Sequence, residues 1–384
     1  MFKKILISIM VLALIFGVGF INSESVNAFD EAEYEEWLQR AQFGEYQPEE
    51  EDWDEILEKA KEEPPITIYS GTSRSIPVAD ALNEEHGLEI EVLNIRANEI
   101  VERVRREFSA GLHEADIIMA GAADAVYDQL LLSNAITRYV PRHIEEAIDP
   151  RHIEPLMVHR YSVGTWYYST DEEGVVPYEN IWELTTEKWN NRIAMQSPLD
   201  SGTTMDYAIG IVSNADKMEE LYEDYFGEPI ELTTENAGYE FLKRLLDNDA
   251  RILDSFRDVA DAVTRADGHF AGFGTQSPYR DVIEGIYDFE LDTDINPAVL
   301  SPRVIAVGTF TESPNKVKYV INHLVSQEGG EPWWGADFPA NPFVESTGAM
   351  ADLTLDSFDK LWDTPLDQQL ILRDQVADFF IMHE

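Results

Sequence analysis

The sequence predicts an α/β protein built on a parallel sheet with helices on both faces. From Ile66 onward, short β-branched runs alternate with helical stretches, which is the pattern of such sheets. The 384-residue chain is 44% hydrophobic and contains 8 Trp, 16 Tyr and 18 Phe, enough to bury the core of one or two domains. This apolar content excludes an acidic disordered protein.

The charge of the chain is strongly acidic. Asp and Glu number 74 against 28 Lys and Arg, and the formal net charge is −46. Because phosphate recognition depends on clustered Lys and Arg, this charge argues against a nucleic-acid partner and against an anionic membrane surface. Only 10 of the basic residues are Lys, and the acids are spread along the whole chain. We therefore expect a halophilic, acidic protein whose self-repulsion is screened by salt, rather than a cation-binding surface.

The first 28 residues have the pattern of a secretory signal peptide. Lys3 and Lys4 precede an apolar run from Ile5 to Ile21, and Val26-Asn27-Ala28 provides small residues for cleavage. We expect a periplasmic or secreted protein, and an uncleaved anchor is the alternative because the run approaches the length of a spanning helix. The chain has no cysteine, which excludes disulfides, thiolate metal sites and an acylated lipid anchor.

Residues 29–65 form an acidic extension with helical composition. Helices are predicted from Glu31 to Gln42 and from Asp52 to Glu62, each with apolar residues on one face, and Pro64-Pro65 ends the second. We expect a solvated extension that docks loosely on the main body. A partner-binding arm is the alternative.

The main body begins with three predicted strands, Ile66–Tyr69, Leu88–Ile95 and Ala115–Met119, separated by helices Ile76–His86 and Glu99–Ala110. The same alternation continues to the end of the chain. Later strands are predicted at Thr165–Ser169, Ile193–Met195, His269–Phe273 and Ser301–Val307, and later helices at Met205–Ser213, Glu240–Leu246, Phe256–Ala266, Pro314–Ser326 and Pro365–Phe380.

Four loops at the ends of these strands are the predicted ligand site. Ligands of α/β sheets bind beyond the carboxyl ends of the strands, and backbone N–H groups at helix N-termini suit anionic oxygens. The hydroxyl residues also suit simple helix capping, and Arg74 suits a surface salt bridge. The candidate residues are Ser70, Thr72, Ser73 and Arg74 in the first loop, Gly121 and Ala122 in the second, Ser201, Gly202 and Thr203 in the third, and Gln276 and Tyr279 in the fourth.

Several motifs, in order along residues 66–350, resemble the ABC-importer solute-binding proteins of the ferric-iron type, which are type II periplasmic binding proteins. The most specific is Ile181-Trp182-Glu183-Leu184 followed by Lys188-Trp189-Asn190-Asn191-Arg192-Ile193, Pro198 and Ser201-Gly202-Thr203. The others are Ile66–Gly71, Ala115–Ile118, Tyr168–Asp171, Ser313–Gly329 and Asn341–Val344.

This resemblance implies a two-lobed type II periplasmic-binding-protein fold with a hinge and an interlobe ligand cleft. Lobe one would comprise residues 66–163 and 301–330, lobe two residues 164–300, and a tail, 331–384, would pack on either lobe. It implies a monomer that is not an enzyme, needs no cofactor, and delivers a small ligand to an ABC permease in the membrane.

The predicted site departs from the ferric-binding pattern. Family members hold iron with an adjacent Tyr pair, often with a His and a carboxylate, whereas the corresponding loops here contain Thr72, Ser73, Gly121 and the single Tyr279. A bare hard cation prefers several anionic oxygens. The residues favour a ferric chelate or a small oxyanion, and Tyr279 is the candidate metal ligand if iron is bound directly.

Two other functions stay open. The eight His show no HxH or HExxH spacing and no Gly-x-Ser-x-Gly motif occurs, so no catalytic site stands out. Tyr167-Tyr168 and Trp333-Trp334 either stack a sugar, as in an exported glycan-active enzyme, or belong to the core. A ligand-sensing receptor domain is the third hypothesis.

Overall fold

The computed structural model describes residues 29–169 and 175–384. The predicted signal peptide and Thr170-Asp171 of the crossover motif lie outside the described residues. None of the described helices is long and apolar enough to cross a membrane.

Within the described residues, one mixed sheet runs through the molecule in the order β2-β1-β3-β10-β5-β8-β6-β7. The short strands β9 and β11 pair with β5, and β4 and β12 pair with β10. The strands are β1 (Ile66–Ser70), β2 (Ile90–Asn94), β3 (Ile117–Ala120), β4 (Ile136–Thr137), β5 (Met157–Ser169), β6 (Ile193–Gln196), β7 (Arg251–Leu253), β8 (Phe270–Thr275), β9 (Glu290–Leu291), β10 (Ala298–Gly308), β11 (Phe338–Pro339) and β12 (Leu361–Trp362).

The prediction of a parallel sheet is right at both ends of the sheet and wrong at its centre. Strands β1, β2 and β3 pair in parallel, as do β6, β7 and β8. The central strands β5 and β10 are antiparallel to each other, and β10 is antiparallel to β3 and β5 to β8. Both are longer than predicted, because each continues from one half of the sheet into the other.

Helices cover both faces of this sheet. They are α1 (Glu31–Ala41), α2 (Trp53–Glu62), α3 (Ser75–His86), α4 (Ala97–Ser109), α5 (Ala123–Val126), α6 (Arg142–Glu145), α7 (Gly202–Ser213), α8 (Ala215–Phe226), α9 (Ala237–Asp247), α10 (Phe256–Thr264), α11 (Tyr279–Ile283), α12 (Pro314–Leu324), α13 (Glu331–Trp334) and α14 (Leu366–His383).

Alternation along the strands produces two cores on each half of the sheet. In the half that contains β1–β3, Ile68 and Met119 belong to one cluster, while Tyr69 and Ile118 belong to another. Successive strand residues point to opposite faces, so both faces are buried under helices. We call this half, with α3–α6 and α12, lobe one, and the half that contains β6–β8 and α7–α11, lobe two. The boundaries expected from the sequence stay a prediction.

The N-terminal extension is part of the core of lobe one, so the expectation of loose docking is wrong. Trp37 is 1% exposed and Phe43 is fully buried. The Trp37 indole Nε1 donates to the carbonyl of Thr311 at 3.2 Å, and Lys318 donates to the carbonyl of Ala41 at 2.8 Å. Helix α2 packs along α12. These two short helices bury their apolar faces against lobe one, and their acidic composition does not indicate this.

The C-terminal tail contacts both lobes. Strand β11 pairs with β5, and Phe338 and Phe358 pack in the core of lobe one. Helix α14 packs on α7 of lobe two, where Val376 and Phe380 are buried, and it also contacts α5 of lobe one.

Candidate ligand-binding cleft

A cleft of about 500 Å³ lies where the loops after β1, β3, β6 and β8 meet the central strands β5 and β10. Both lobes contribute to it. Its lining consists of Gly71, Thr72, Ser73, Arg74, Ala97, Met119, Ala120, Gly121, Arg160, Ser162, Gln196, Asp200, Ser201, Gly202, Thr203, Phe256, Thr275, Ser277, Arg280, Arg303 and Asp337.

Seven of the eleven residues predicted from the sequence line this cleft: Thr72, Ser73, Arg74, Gly121, Ser201, Gly202 and Thr203. Helix α3 begins at the first loop and α7 at the third, so two helix N-termini face the cleft from opposite lobes. Ser201 is also the N-cap of α7, where its side chain accepts from the N–H of Thr204 at 3.2 Å. Its hydroxyl thus already serves the helix.

Ser70 and Ala122 do not line the cleft. Ser70 is fully buried, and its hydroxyl bonds to the Ser75 hydroxyl and donates to the carbonyl of Thr72 at 3.0 Å. Its role is to fold the first loop. Ala122 has a left-handed backbone, with φ of 55°, and its methyl is buried. This conformation turns the chain from β3 into α5.

Gln276 and Tyr279 also lie outside the cleft lining, although Thr275 and Ser277 of the same loop belong to it. The Gln276 side chain is buried, accepts from the N–H of Val163 at 2.7 Å and donates to the carbonyl of Ala336 at 2.7 Å. It therefore ties the loop to β5 and the tail. Tyr279 packs against the second core of lobe two, which removes the one predicted tyrosine from the site.

Three arginines of the cleft were not predicted from the sequence: Arg160, Arg280 and Arg303. Arg160 and Arg303 are paired in register on the central strands, at an irregularity in the ladder between Arg303 and Val304. Both guanidinium groups therefore reach the cleft from the strands that join the lobes. Arg280 comes from α11 and pairs with Asp281 at 3.1 Å.

Arg303 spans the two lobes. Its guanidinium donates to the hydroxyl of Thr203 on α7 and, through Nε at 3.3 Å, to that of Ser162 on β5. A Cβ atom on Gly121 would collide with this guanidinium. A larger residue at position 121 would force the Arg303 side chain to shift, so the second loop contributes space for Arg303. Among the described residues, Arg303 has no carboxylate within ion-pair distance.

Asp337, in the C-terminal tail, is the buried counter-ion of the cleft. It is 4% exposed and accepts from Arg74 Nη1 at 2.9 Å, from Arg160 Nε at 3.1 Å and from the Ser162 hydroxyl at 2.8 Å. Burial on its own would raise the pKa of Asp337, but the guanidinium groups of Arg160 and Arg74 outweigh it and hold the pKa below its ordinary value. Asp337 is therefore ionised at neutral pH.

His159 supports Arg160 from behind without adding charge. Its Nδ1 accepts from Arg160 Nη1 at 2.9 Å, so its Nε2 carries the proton that is donated to the carbonyl of Leu324 at 2.8 Å. Burial, reinforced by the Arg160 charge, lowers the pKa of His159 to about 3. Trp333 and Trp334 pack around the ring and are fully buried, as is Tyr167. These aromatics are core residues and offer no sugar platform.

The electrostatics of the cleft are opposite to those of the chain. Four arginines line the cleft: Arg74 from the first loop, Arg160 and Arg303 from the central strands, and Arg280 from α11. The carboxylates of the lining are Asp337 and the exposed Asp200, and Arg280 is paired with Asp281. No group of three or more His, Asp or Glu within residues 29–169 and 175–384 is arranged to hold a metal ion. The arrangement suits the oxygens of an anion, which guanidinium groups bind with two parallel bonds.

A signal for the missed arginines is present in the sequence. Arg160 and Arg303 are each the one Arg, Lys, Asp or Glu residue of a long, largely buried strand, and burying an unpaired cation in a sheet is costly. Charges at such positions indicate a site or an ion pair. Asp337 has no such signal, because it lies 177 residues from Arg160 and only the fold brings them together.

Comparison with solved structures places this architecture among periplasmic binding proteins. Iron-bound HitA from Pseudomonas aeruginosa is similar at a TM-score of 0.63 with 13% identity, over 83% of this chain and 99% of that one. The Trichodesmium FutA protein in complex with iron and citrate gives 0.61 with 14% identity, over 83% and 99%. The periplasmic binding protein P5PA gives 0.62 with 16% identity, over 84% and 99%.

No protein-family model matches the sequence, and no curated protein matches it. The structural neighbours are binding proteins rather than enzymes. At these identities the likeness establishes the architecture. The chain therefore has the two-lobed α/β fold of the periplasmic binding proteins, with its arginine-lined cleft in the position between the lobes.

Proposed function

We propose that this protein is the solute-binding component of an ABC importer and captures a small anionic solute, or an anionic ferric chelate, in the interlobe cleft. The observation that carries the proposal is the set of guanidinium groups of Arg74, Arg160 and Arg303 facing one cavity in a chain with a net charge of −46. In so acidic a protein, a cluster of arginines between two lobes indicates a binding site for anions.

The donor groups favour an anion over a bare ferric ion. Iron-bound HitA and FutA with iron and citrate are among the structural neighbours, so iron uptake is one route by which such a ligand arrives. Yet the cleft lining contains no tyrosine, and its one buried carboxylate, Asp337, is engaged by two arginines. A chelate whose own oxygens surround the iron would present anionic oxygens to these arginines.

The ligand would hold the lobes together. Ser73 and Arg74 belong to lobe one, Thr203 to lobe two, and Arg303 to the strand between them. A molecule bound to all of them favours the closed arrangement, which is the state that a membrane permease recognises in this proposal.

A thermal-shift screen of small anions and ferric chelates, followed by calorimetry on the hits, tests the proposal. Replacing Arg303 by Gln should weaken binding by about 5- to 150-fold, the usual cost of one charge-assisted contact. Arg265→Gln is the matched control, because Arg265 is an exposed arginine on lobe two that pairs with Asp261. Ser73→Ala and Thr203→Ala should also weaken binding. Unchanged affinity in all three cleft variants would contradict the site.

Direct iron coordination makes a different prediction. If Tyr279 bound Fe(III), the protein would show a tyrosinate charge-transfer band that Tyr279→Phe abolishes. We expect no such band, because Tyr279 packs against the second core of lobe two and does not line the cleft. The glycan-active and receptor alternatives are tested by turnover of glycans and by identification of a signalling partner.

Export is part of the proposal. The pattern of residues 1–28 predicts cleavage after Ala28 and a periplasmic or secreted protein without a lipid anchor. Mass spectrometry of the native protein should find Phe29 at its N-terminus. Recovery of an intact Met1 in the membrane fraction would favour the anchor instead.

A further inference from the structure

We infer that the cleft is built for a doubly charged oxyanion, and that Asp337 sets this charge preference. The inference rests on the proposed function, since it names the charge class of the ligand that the cleft would take. It follows from how many of the cleft charges are already neutralised within the protein.

The fixed charges of the inner cleft leave an excess of two positive charges. Arg74, Arg160 and Arg303 are three cations, and Asp337 is the one buried anion among them. Asp337 pairs with both Arg74 and Arg160, so its single charge serves two guanidinium groups. Among the residues that the structure describes, Arg303 bonds only to the hydroxyls of Thr203 and Ser162. An anion of two charges would neutralise the site.

The other ionisable groups around the cleft do not alter this balance. Arg280 is compensated by its neighbour Asp281 at 3.1 Å. Asp200 is exposed at the rim, where water screens it. His159 accepts a hydrogen bond from Arg160 and is therefore in its neutral form. Burial lowers the pKa of Arg160 only to about 10, so this guanidinium stays charged at neutral pH.

Closure of the lobes makes the charge match decisive. Arg160 is 8% exposed and Asp337 4%, so a bound anion interacts with them across little water. In such surroundings an uncompensated charge is costly, whereas in an open surface site it would be screened. A monoanion would leave one cation of the cleft without a counter-ion, and a trianion would carry one charge too many.

Asp337 also positions the arginines that it partly neutralises. Its Oδ2 accepts from both Arg74 and Arg160, while its Oδ1 accepts from Ser162 and, at 3.3 Å, from Gln276. Four side chains from lobe one, the central strand and the fourth loop are thereby fixed relative to one another. The tail residue Asp337 thus determines both the orientation of the arginine side chains and the net charge of the inner cleft.

Calorimetry on the signal-free chain, residues 29–384, with sulfate, methyl phosphate and nitrate at constant ionic strength tests the inference. Sulfate is a dianion from pH 5 to pH 7.5, and we expect its affinity to be flat. A phosphate monoester loses its second proton near pH 6, so the affinity for methyl phosphate should rise about tenfold over the same range. Nitrate should bind at least about fivefold more weakly than sulfate.

Two variants separate charge from folding. Asp337→Asn removes one negative charge, so the excess positive charge of the cleft rises to three, and the ratio of citrate to sulfate affinity should rise about tenfold. Arg303→Gln removes one positive charge, so the excess positive charge of the cleft falls to one, and the ratio of nitrate to sulfate affinity should rise about fivefold. Because Arg303 is half-buried and bonded only to hydroxyls, its variant keeps the test open if Asp337→Asn fails to fold.

The outcomes distinguish this inference from the proposed function. If methyl phosphate binds equally at both pH values, or if the nitrate-to-sulfate ratio is unchanged in Arg303→Gln, the charge preference is wrong while anion capture stands. If none of the four anions binds, both the inference and the proposed function are wrong. A tenfold pH effect for methyl phosphate with a flat response for sulfate supports the inference.

Discussion

The guanidinium of Arg373, on the last helix, donates to both carboxylate oxygens of Asp124 on α5, a residue 249 positions earlier in the chain. The same guanidinium lies 3.5 Å from the carboxylate of Asp206 on α7, which in turn accepts from the hydroxyl of Ser301 on β10. Asp124 belongs to lobe one, Asp206 to lobe two and Ser301 to the connecting strand. The C-terminal helix therefore ties the lobes together by a buried ion network.

Removing Arg373 should be strongly destabilising. Arg373→Met would leave Asp124 and Asp206, which are 0% and 3% exposed, without their cation. Breaking a buried ion pair from one side costs about 3–5 kcal/mol, because the remaining charge stays buried. Urea unfolding of the variant should show this loss in the free energy of unfolding.

Arg265→Met is the control, since the exposed pair of Arg265 with Asp261 should contribute less than about 0.5 kcal/mol. A loss of less than about 1 kcal/mol in Arg373→Met would mean that the network does not hold the lobes.

Local patterns predicted the outer parts of the fold better than its centre. The alternation that begins at Ile66 indicated β1–β3 and the helices between them, because each strand and helix is short and carries its own period. Strands β5 and β10 were predicted too short and in the wrong orientation. Their direction depends on pairing with each other, and no local period records which strand lies next to which.

The same distinction between local pattern and long-range contact applies to the residues of the candidate site. The small-residue loops at Thr72–Arg74 and Ser201–Thr203 were predictable, since their place at strand ends follows from sheet geometry. Asp337 and Arg303 were not, because their role depends on contacts between segments far apart in the chain. Tyr279 shows the opposite error: its neighbours Ser277 and Arg280 line the cleft, but its own side chain packs against the second core of lobe two.

The N-terminal extension should contribute to stability through one side chain above all. Trp37 is 1% exposed, and its ring lies 5.5 Å from Phe43 and 5.7 Å from Phe310, measured between centroids. Trp37→Ala should cost about 3–5 kcal/mol in the free energy of unfolding, as for other large-to-small core substitutions.

The half-buried Trp53, which contacts His143 at the surface of α2, provides the control for Trp37. Its replacement by Ala should cost about 1 kcal/mol. If chemical denaturation shows equally small losses of stability for both variants, the result would favour a loosely docked extension instead.

Salt should stabilise the fold. A net charge of −46 generates self-repulsion in the folded state, and molar salt shortens the screening length to about 3 Å. The midpoint of thermal unfolding should rise from low to molar NaCl. Repeating the titration with sucrose of equal osmolarity separates screening from exclusion effects. A midpoint that is flat or falls in NaCl would contradict the halophilic interpretation.

Acid should destabilise the protein through His159. Burial lowers the pKa of His159 to about 3, against about 6.5 in the unfolded chain. Between these values the unfolded state binds a proton that the folded state does not, so stability falls as the pH drops from about 6.5 towards about 3. The loss is about 1.4 kcal/mol for each pH unit in this window.

Asp337 adds to this loss only below about pH 4. Its pKa is lowered in the folded protein by the nearby arginines despite its burial, so its contribution is complete above the unfolded value and disappears as the carboxylate becomes protonated. The two groups thus act in successive pH windows, His159 first and Asp337 later.

A His159→Gln variant can keep a bond to Arg160 or Leu324 without a titrating ring. Urea unfolding between pH 7.5 and 5 should show a steeper decline for the natural sequence than for His159→Gln. Parallel declines would show that His159 is not the source of the acid sensitivity.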